Sequence, residues 1–165
     1  MTRRHVLLAA GLTMAAAAGV AGTAAADHAG VGSDLAAVRA ATAGYHRVDV
    51  AEAAGYQELL DCFSSEAGGM GQHYVDVGSL DADLDPLAPE SMVYDVSRGR
   101  LQLVAVEYIV PLGAWAEEDP PELFGQPFHV NEALGLWVLH AWIWTHNPAG
   151  MFADFNPVVG ACPGV

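Results

Sequence analysis

Lysine is absent from this sequence, and basic side chains of any kind are scarce. The chain has 6 arginines against 20 aspartates and glutamates, which gives a formal net charge of -14 at pH 7. A surface this acidic repels nucleic acids and anionic membranes. We therefore expect neither nucleic acid nor a membrane among the partners. Two explanations of the acidity stay open: solubility and a mild attraction for cations.

Motifs of several large enzyme classes are also missing. The sequence contains no G-x-S-x-G, no G-x-G-x-x-G that opens a helix, no phosphate-binding Walker loop and no H-E-x-x-H. These motifs place a serine nucleophile, a dinucleotide, a nucleoside triphosphate and a zinc ion, respectively. Their absence argues against serine hydrolases and nucleotide-dependent enzymes.

The first residues predict an export signal. Arg3 and Arg4 precede an apolar segment that ends in small residues at Ala24–Ala26. This is the pattern of a cleaved signal peptide, here residues 1–26. The pair in T-R-R-x-V-L resembles the twin-arginine signal, which exports folded proteins and often proteins already loaded with a cofactor. A general secretory signal with a chance arginine pair is the alternative. Both predict a secreted protein, periplasmic or extracellular.

Cleavage after Ala26 leaves residues 27–165, which is enough chain for one globular domain with its own core. This part holds no second run of eighteen apolar residues, so we expect the mature chain to be soluble. Its two cysteines, Cys62 and Cys162, predict a disulfide in an oxidising compartment. The alternative is a Cys62 nucleophile or thiolate ligand, although no C-x-x-C accompanies it.

Helical patterns come first along the chain. SDLAAVRAATAGY predicts a helix that begins with Ser33 as its cap and stops near Gly44. DVAEAAGYQELL, from Asp49 to Leu60, predicts a second short helix that Gly55 breaks. The glycine-rich CFSSEAGGMG, residues 62–71, is predicted to be a loop.

Strand patterns follow. Four segments have the alternation or the β-branched and aromatic content of strands. They are HYVDV, SMVYDV, RLQLVAVEYIVP and LWVLHAWIWTH. A proline-rich insertion, residues 112–135, is predicted to hold one helical turn after Pro120 and Pro121. The whole pattern predicts an α+β fold: N-terminal short helices, then a mainly antiparallel β-sheet with a buried polar site.

Three of these strands each carry one titratable residue on the face with the stronger apolar character: His73, Glu107 and His140. Alternate residues of a strand point to the same face. The apolar residues that share these faces are Val75 with His73; Leu101, Leu103, Ala105 and Ile109 with Glu107; and Leu136, Val138, Trp142 and Trp144 with His140. An isolated buried carboxylate costs several kcal/mol, so Glu107 needs a partner.

Imidazoles, a metal ion or a proton can stabilise such a carboxyl. Two histidines and one carboxylate match the ligands of non-haem iron and of mixed zinc or copper sites. The sequence therefore predicts a transition metal ion (zinc, copper or iron) bound by His73, Glu107 and His140, with His129 as a fourth ligand. The alternatives are histidines hydrogen-bonded within the core and a Glu107 that faces water.

Two further functions remain open. One is a metal-free secreted binding or structural module, with an apolar pocket lined by Trp142, Trp144 and Tyr108. The other is an interaction protein that uses its acidic surface. We expect a small-molecule ligand as the partner, and whether the protein is an enzyme is left open.

The segments GGMGQHYVD, RLQLVAVEYIVP, LFGQPFH and LHAWIWTHNPAGMFADFNP taken together show a family resemblance. The chain resembles a group of small secreted bacterial proteins of unassigned function, from about Ala37 to Cys162. The resemblance implies export but no particular reaction. It places His73, Glu107, His129 and His140 inside the shared segments and leaves His28 and His46 outside them.

Overall fold

The computed structural model describes the backbone of residues 23–162 and the side chains from residue 30 onward. Arg3 and Arg4 of the predicted signal lie outside the described residues. Helices come first, as the pattern predicts: α1 spans Thr23–Thr42, a 3-10 turn spans Ala43–His46, and α2 spans Val48–Ala53.

The helix boundaries differ from the predicted ones. The helix predicted to begin at Ser33 begins at Thr23, because the alanine-rich segment before Ser33 favours helix more strongly than a serine favours a cap. The second helix ends at Ala53 and does not continue to Leu60. Gly55 has a φ of 110°, a conformation that suits glycine and ends the helix as predicted.

Nine strands follow the helices within residues 23–162. In chain order they are β1 Gln57–Glu58, β2 Phe63–Ser65, β3 Gly68–Val75, β4 Ser91–Asp95, β5 Gln102–Pro111, β6 Glu122–Leu123, β7 Gln126–Pro127, β8 His129–Asn131 and β9 Leu136–Ala141. The main sheet has the order β1-β3-β4-β5-β9-β8, and β2 also pairs with β3. All pairings are antiparallel, and β6 and β7 form a separate hairpin. The predicted α+β fold is confirmed.

Two predicted loop features are wrong. Residues 62–71 belong largely to β2 and β3, since the glycines of β3 pair with β2 and make space for a segment from the end of the chain. The insertion 112–135 holds the β6–β7 hairpin after Pro120 and Pro121, where a helical turn was predicted.

The two faces of the sheet differ in what covers them. On one face, Leu35 and Val38 of α1 pack with Tyr74, Met92 and Val106 in the larger hydrophobic core. The opposite face, which we call the site face, has two smaller apolar clusters. They comprise Val75, Ile109 and Val138, and Val93, Val104, Ala105, Trp142 and Val159.

A β-bulge in β5 changes which residues share a face with Glu107, so the predicted face is wrong for the residues before Ala105. Val93 pairs with Ala105 and Tyr94 pairs with Leu103, so Val104 is an extra residue on β5. The bulge reverses the alternation before Ala105. As a result Leu103 packs with Tyr94 in the α1-side core and not beside Glu107.

The tryptophan-rich strand is shorter than predicted. It ends at Ala141, because the N–H of Trp142 donates to Met151 and the N–H of Ile143 donates back to Ala141. The tight turn ends the alternation, so Trp144 packs against the α1-side core and not on the face of His140.

The C-terminal segment, residues 142–162, crosses β3, where glycines allow a close approach. Gly69 and Asn156 exchange backbone hydrogen bonds, with N–O distances of 3.2 and 2.9 Å. A Cβ added at Gly69 would lie 2.5 Å from the carbonyl oxygen of Gly160. Gly69 therefore leaves the space in which the C-terminal segment crosses the strand.

The predicted disulfide is confirmed: Cys62 and Cys162 are bonded, with a sequence separation of 100 residues. Closing a loop of this length stabilises the fold by about 5 kcal/mol in the chain-entropy model. The bond fixes the end of the C-terminal segment beside β2. Of the helices in the described part, none has the length and apolar character needed to cross a bilayer.

Candidate metal centre

Strand register brings the three predicted ligands together on the site face. Glu107 of β5 pairs directly with His140 of β9. On the other side of β5, Ser91 of β4 pairs with Glu107. His73 of β3 lies one row away, opposite Val93. His73 and Glu107 are therefore separated by β4 and by one row, about 12 Å apart at the backbone given a strand spacing of about 4.8 Å and a rise of about 3.3 Å per residue.

A short side chain on β4 leaves space for His73 and Glu107 to make contact across that strand. Ser91 is fully buried and occupies the row of Glu107, where its short side chain leaves room above the strand. The Nε2 atom of His73 lies 3.3 Å from Oε2 of Glu107. A large side chain at Ser91 would fill the space across which they make this contact.

The donor atoms of the three side chains converge in a compact group, which we call the triangle, and each oxygen of Glu107 faces one of the two imidazoles. The Nε2 atoms of His73 and His140 are 3.4 Å apart, and Nε2 of His140 is 3.5 Å from Oε1 of Glu107. Donors placed about 2.1 Å from one ion at tetrahedral angles are about 3.4 Å apart. The two imidazole nitrogens have this spacing and a Glu107 oxygen lies close to each of them, so the cluster could hold a metal ion.

Burial sets the charge state of the three groups. His73 and Glu107 are each 6 % exposed and His140 is 1 % exposed. Burial raises the pKa of Glu107 to about 8, with smaller contributions in the same direction from the charges of Asp154 and Glu90. Burial also lowers the pKa of His73 to about 4, against a smaller opposing effect of the Gly71 carbonyl.

The pKa of His140 is lowered well below its usual range, first by burial and then by the positive charges that His73 and His129 can carry. Without a bound ion, these shifts favour two neutral imidazoles and a protonated carboxyl at neutral pH. Neutral imidazole nitrogens are the form that binds metal ions.

The other nitrogens of the two rings face a different environment. Nδ1 of His73 and Nδ1 of His140 are buried and have no hydrogen-bond partner among the described residues. Asp154 is a carboxylate close to one of these nitrogens: its Oδ1 lies 3.8 Å from Nδ1 of His140. Metal-bound histidines usually donate this second N–H to a carboxylate or a carbonyl.

The predicted fourth ligand, His129, is near the triangle but outside it. Its Nε2 atom lies 3.1 Å from Oδ1 of Asp154, and its side chain is 45 % exposed. The group whose donor atoms converge is His73, Glu107 and His140. Asp154 thus stands between His129 and His140. Sequence reasoning missed Asp154, although it lies in the quoted segment FADFNP.

The three residues predicted to line a pocket are placed elsewhere. Trp142 is buried in a small cluster on the site face, where its ring stacks against that of His140 at a centroid distance of 6.1 Å. Tyr108 points to the α1 side, and its hydroxyl donates to the carbonyl of Pro86. Trp144 contacts His46 edge to face.

A pocket of about 590 Å³ does open beside the triangle, with a different lining. His73, Glu107 and His140 form part of its wall, together with His129 and Asp154. Aliphatic side chains make up most of the remainder. The triangle is therefore buried in the protein but borders a space that a small molecule can enter.

Comparison of the chain with protein-family models, with curated proteins and with solved structures found no match. Functional conclusions consequently depend on the geometry of the site.

Proposed function

We propose that this protein is exported and binds one transition metal ion through His73, Glu107 and His140. The observation that supports the proposal is the convergence of the donor atoms. The two histidine Nε2 atoms are 3.4 Å apart, the spacing of two ligands around one tetrahedral ion, and the two carboxylate oxygens of Glu107 lie 3.3 and 3.5 Å from them. Two histidines and one glutamate suit zinc, copper or iron.

Hydrogen bonding alone accounts less well for this arrangement. A protonated Glu107 can donate to Nε2 of one histidine and accept from Nε2 of the other. No proton then lies between the two Nε2 atoms, so their contact at 3.4 Å is not a hydrogen bond. An ion satisfies all three donor atoms at once.

Three protein ligands leave at least one coordination position for water or a substrate. A bound ion of this kind lowers the pKa of its water and polarises oxygen atoms of a substrate. The chain contributes burial, which keeps bulk water from the ligands, and a pocket that leads to them.

Export is supported by the arginine pair of the first residues and by the disulfide. Disulfides persist in oxidising compartments, so the Cys62–Cys162 bond fits a periplasmic or extracellular location. The family resemblance points to the same location.

The test is metal binding by the purified chain and by two matched variants. Protein stripped with a chelator is titrated with Zn²⁺, Cu²⁺ and, without oxygen, Fe²⁺. We expect one ion per chain for at least one of these metals. H140F should abolish binding, and H146F, which changes an exposed histidine outside the triangle, should leave it unchanged.

H140F nearly conserves the volume of a fully buried ring, so circular dichroism should show a native fold. A folded H140F that binds metal as the parent does would disprove the proposed site. So would a parent protein that binds none of the three ions. In either case the histidines are hydrogen-bonded core residues and the metal-free binding module becomes the better assignment.

A further inference from the structure

The pocket beside the triangle has a strongly apolar lining. Thirteen of its twenty lining residues are apolar, and the polar ones include all three triangle residues. The volume of the pocket lies in the range of pockets that bind small organic molecules.

Exposed apolar side chains concentrate at this pocket. Nine large hydrophobic residues of the described part are exposed, and five of them line it: Leu59, Leu60, Phe63, Val130 and Leu134. Apolar surface left in water is unfavourable, and a contiguous patch of it marks a binding site. Since the rest of the chain is strongly acidic, the patch stands out as a place for an apolar ligand.

Strand register separates the polar wall from the apolar wall. Glu107 and His140 form one row across β5 and β9, and Ile109 and Val138 form the next row on the same face. The adjoining aliphatic row belongs to the same pocket. A ligand that fills the pocket therefore meets donor atoms at one end and hydrocarbon along its body.

The charge of the pocket selects the head group of such a ligand. Glu107, Glu132 and Asp154 line the pocket, whereas none of the four described arginines does. Without an ion, a carboxylate head group meets only acids and histidines. A divalent ion held by an ionised Glu107 offsets much of this negative charge and has an open coordination position, which suits an anionic oxygen donor.

We propose that the pocket binds an apolar small molecule that ends in one carboxylate, with the carboxylate on the bound metal ion and the hydrocarbon along Ile109, Val138 and the exposed rim. This inference rests on the proposed function, because the ion supplies the only strong attraction for the head group. The hydrocarbon part of the site depends on the pocket alone.

Two probes separate these contributions. The neutral fluorescent probe N-phenyl-1-naphthylamine reports the apolar pocket, and dodecanoate competes with it through both its chain and its carboxylate. We expect the probe to bind with and without Zn²⁺. Dodecanoate should displace it about tenfold or more tightly from the zinc-loaded protein, which corresponds to about 1.4 kcal/mol for the head group. Dodecyltrimethylammonium, which cannot ligate zinc, should show no such gain.

A matched pair of variants assigns the binding to this pocket. L134D places a charge on the rim and should weaken probe and dodecanoate binding by about tenfold while Zn²⁺ still binds. L87D changes an equally exposed leucine outside the pocket and should have no effect on either.

The outcomes distinguish the two proposals. Zinc binding without probe binding overturns the inference and leaves the metal site intact. Zinc and probe binding with equal dodecanoate affinities for the two forms overturns the carboxylate assignment. Failure to bind any metal, measured directly by titration, overturns the proposed function and with it the role of the head group. Equal effects of L134D and L87D place the apolar ligand elsewhere and also overturn the inference.

Discussion

Glu107 and His140 stand directly opposite each other on β5 and β9, and both side chains point away from α1. Pairing across adjacent antiparallel strands holds their backbones within about 5.5 Å of each other. Two chemically complementary groups are thus placed side by side by the pairing of two strands in the main sheet. His73 reaches the same point from two strands away, which gives the site its third donor.

Asp154 is predicted to orient His140 in the metal-loaded protein. Its Oδ1 lies 3.8 Å from Nδ1 of His140 and 3.1 Å from Nε2 of His129. D154N removes the charge but keeps the shape, and we expect zinc affinity to fall by about tenfold or more, measured by competition with a chelator. D81N, at an exposed aspartate away from the site, is the control. Equal affinities for the parent and D154N would assign no role in metal binding to Asp154.

Glu90 predicts a pH dependence of stability. It is buried, and its Oε2 accepts a hydrogen bond from the N–H of Ile109 at 2.9 Å. Burial raises its pKa from 4.5 to about 7, and the backbone hydrogen bonds oppose the shift. The folded protein therefore holds the proton more tightly than the unfolded chain. The free energy of unfolding should fall as pH rises from 4.5 to 7, by about 3 kcal/mol at most.

E90Q cannot ionise but can still accept from Ile109. We expect E90Q to match the parent near pH 4.5 and to exceed its stability above pH 7 by up to about 3 kcal/mol, in urea unfolding of metal-free protein. Glu107 contributes to the pH dependence of both proteins in the same direction. Because the charge of Glu90 is one of the smaller causes that raise the pKa of Glu107, the difference between E90Q and the parent reports Glu90 together with this coupling. E66Q, at an exposed glutamate, should follow the parent at both pH values. A constant difference between E90Q and the parent would contradict the assignment.

Gly69 is predicted to be intolerant of a side chain because the C-terminal segment crosses it. In G69A the new Cβ would meet the Gly160 carbonyl at 2.5 Å, so backbone must move. We expect a loss of about 2 kcal/mol or more in the free energy of unfolding. G113A, where a Cβ has no neighbour within 4 Å, should change stability by less than about 0.5 kcal/mol. Similar unfolding curves for the two variants would show that the segment is not packed on β3.

The export route gives a prediction outside the described residues. Replacing Arg3 and Arg4 by lysine keeps the positive charge of the first residues but removes the twin-arginine pair. We expect folded protein to remain in the cytoplasm of the producing cell. Normal secretion of the double variant would assign the protein to the general secretory pathway. Fractionation followed by immunoblotting distinguishes the two results.

Several features follow from the sequence alone because their causes are local. Alternation along β3, β5 and β9 has a period of two, so the sequence places His73, Glu107 and His140 on faces that are otherwise apolar. The cysteine pair and the expected compartment predict the disulfide. The order of helical and strand patterns predicts the α+β fold.

Long-range contacts decided the remainder. The bulge at Val104 reverses one face, and the turn after Ala141 ends a strand that the aromatic sequence would allow to continue. The pocket is lined by residues in and around β3, in the C-terminal segment and in the loop after β8. These parts are far apart in the sequence, so the lining cannot be derived from any one segment. Asp154 reaches the site because the C-terminal segment crosses Gly69 and is held by Cys162. The sequence by itself determined which side chains require a partner, since the cost of burying a charge is a property of the residue. Only the tertiary structure decided which groups meet, since that depends on register and on chain crossings.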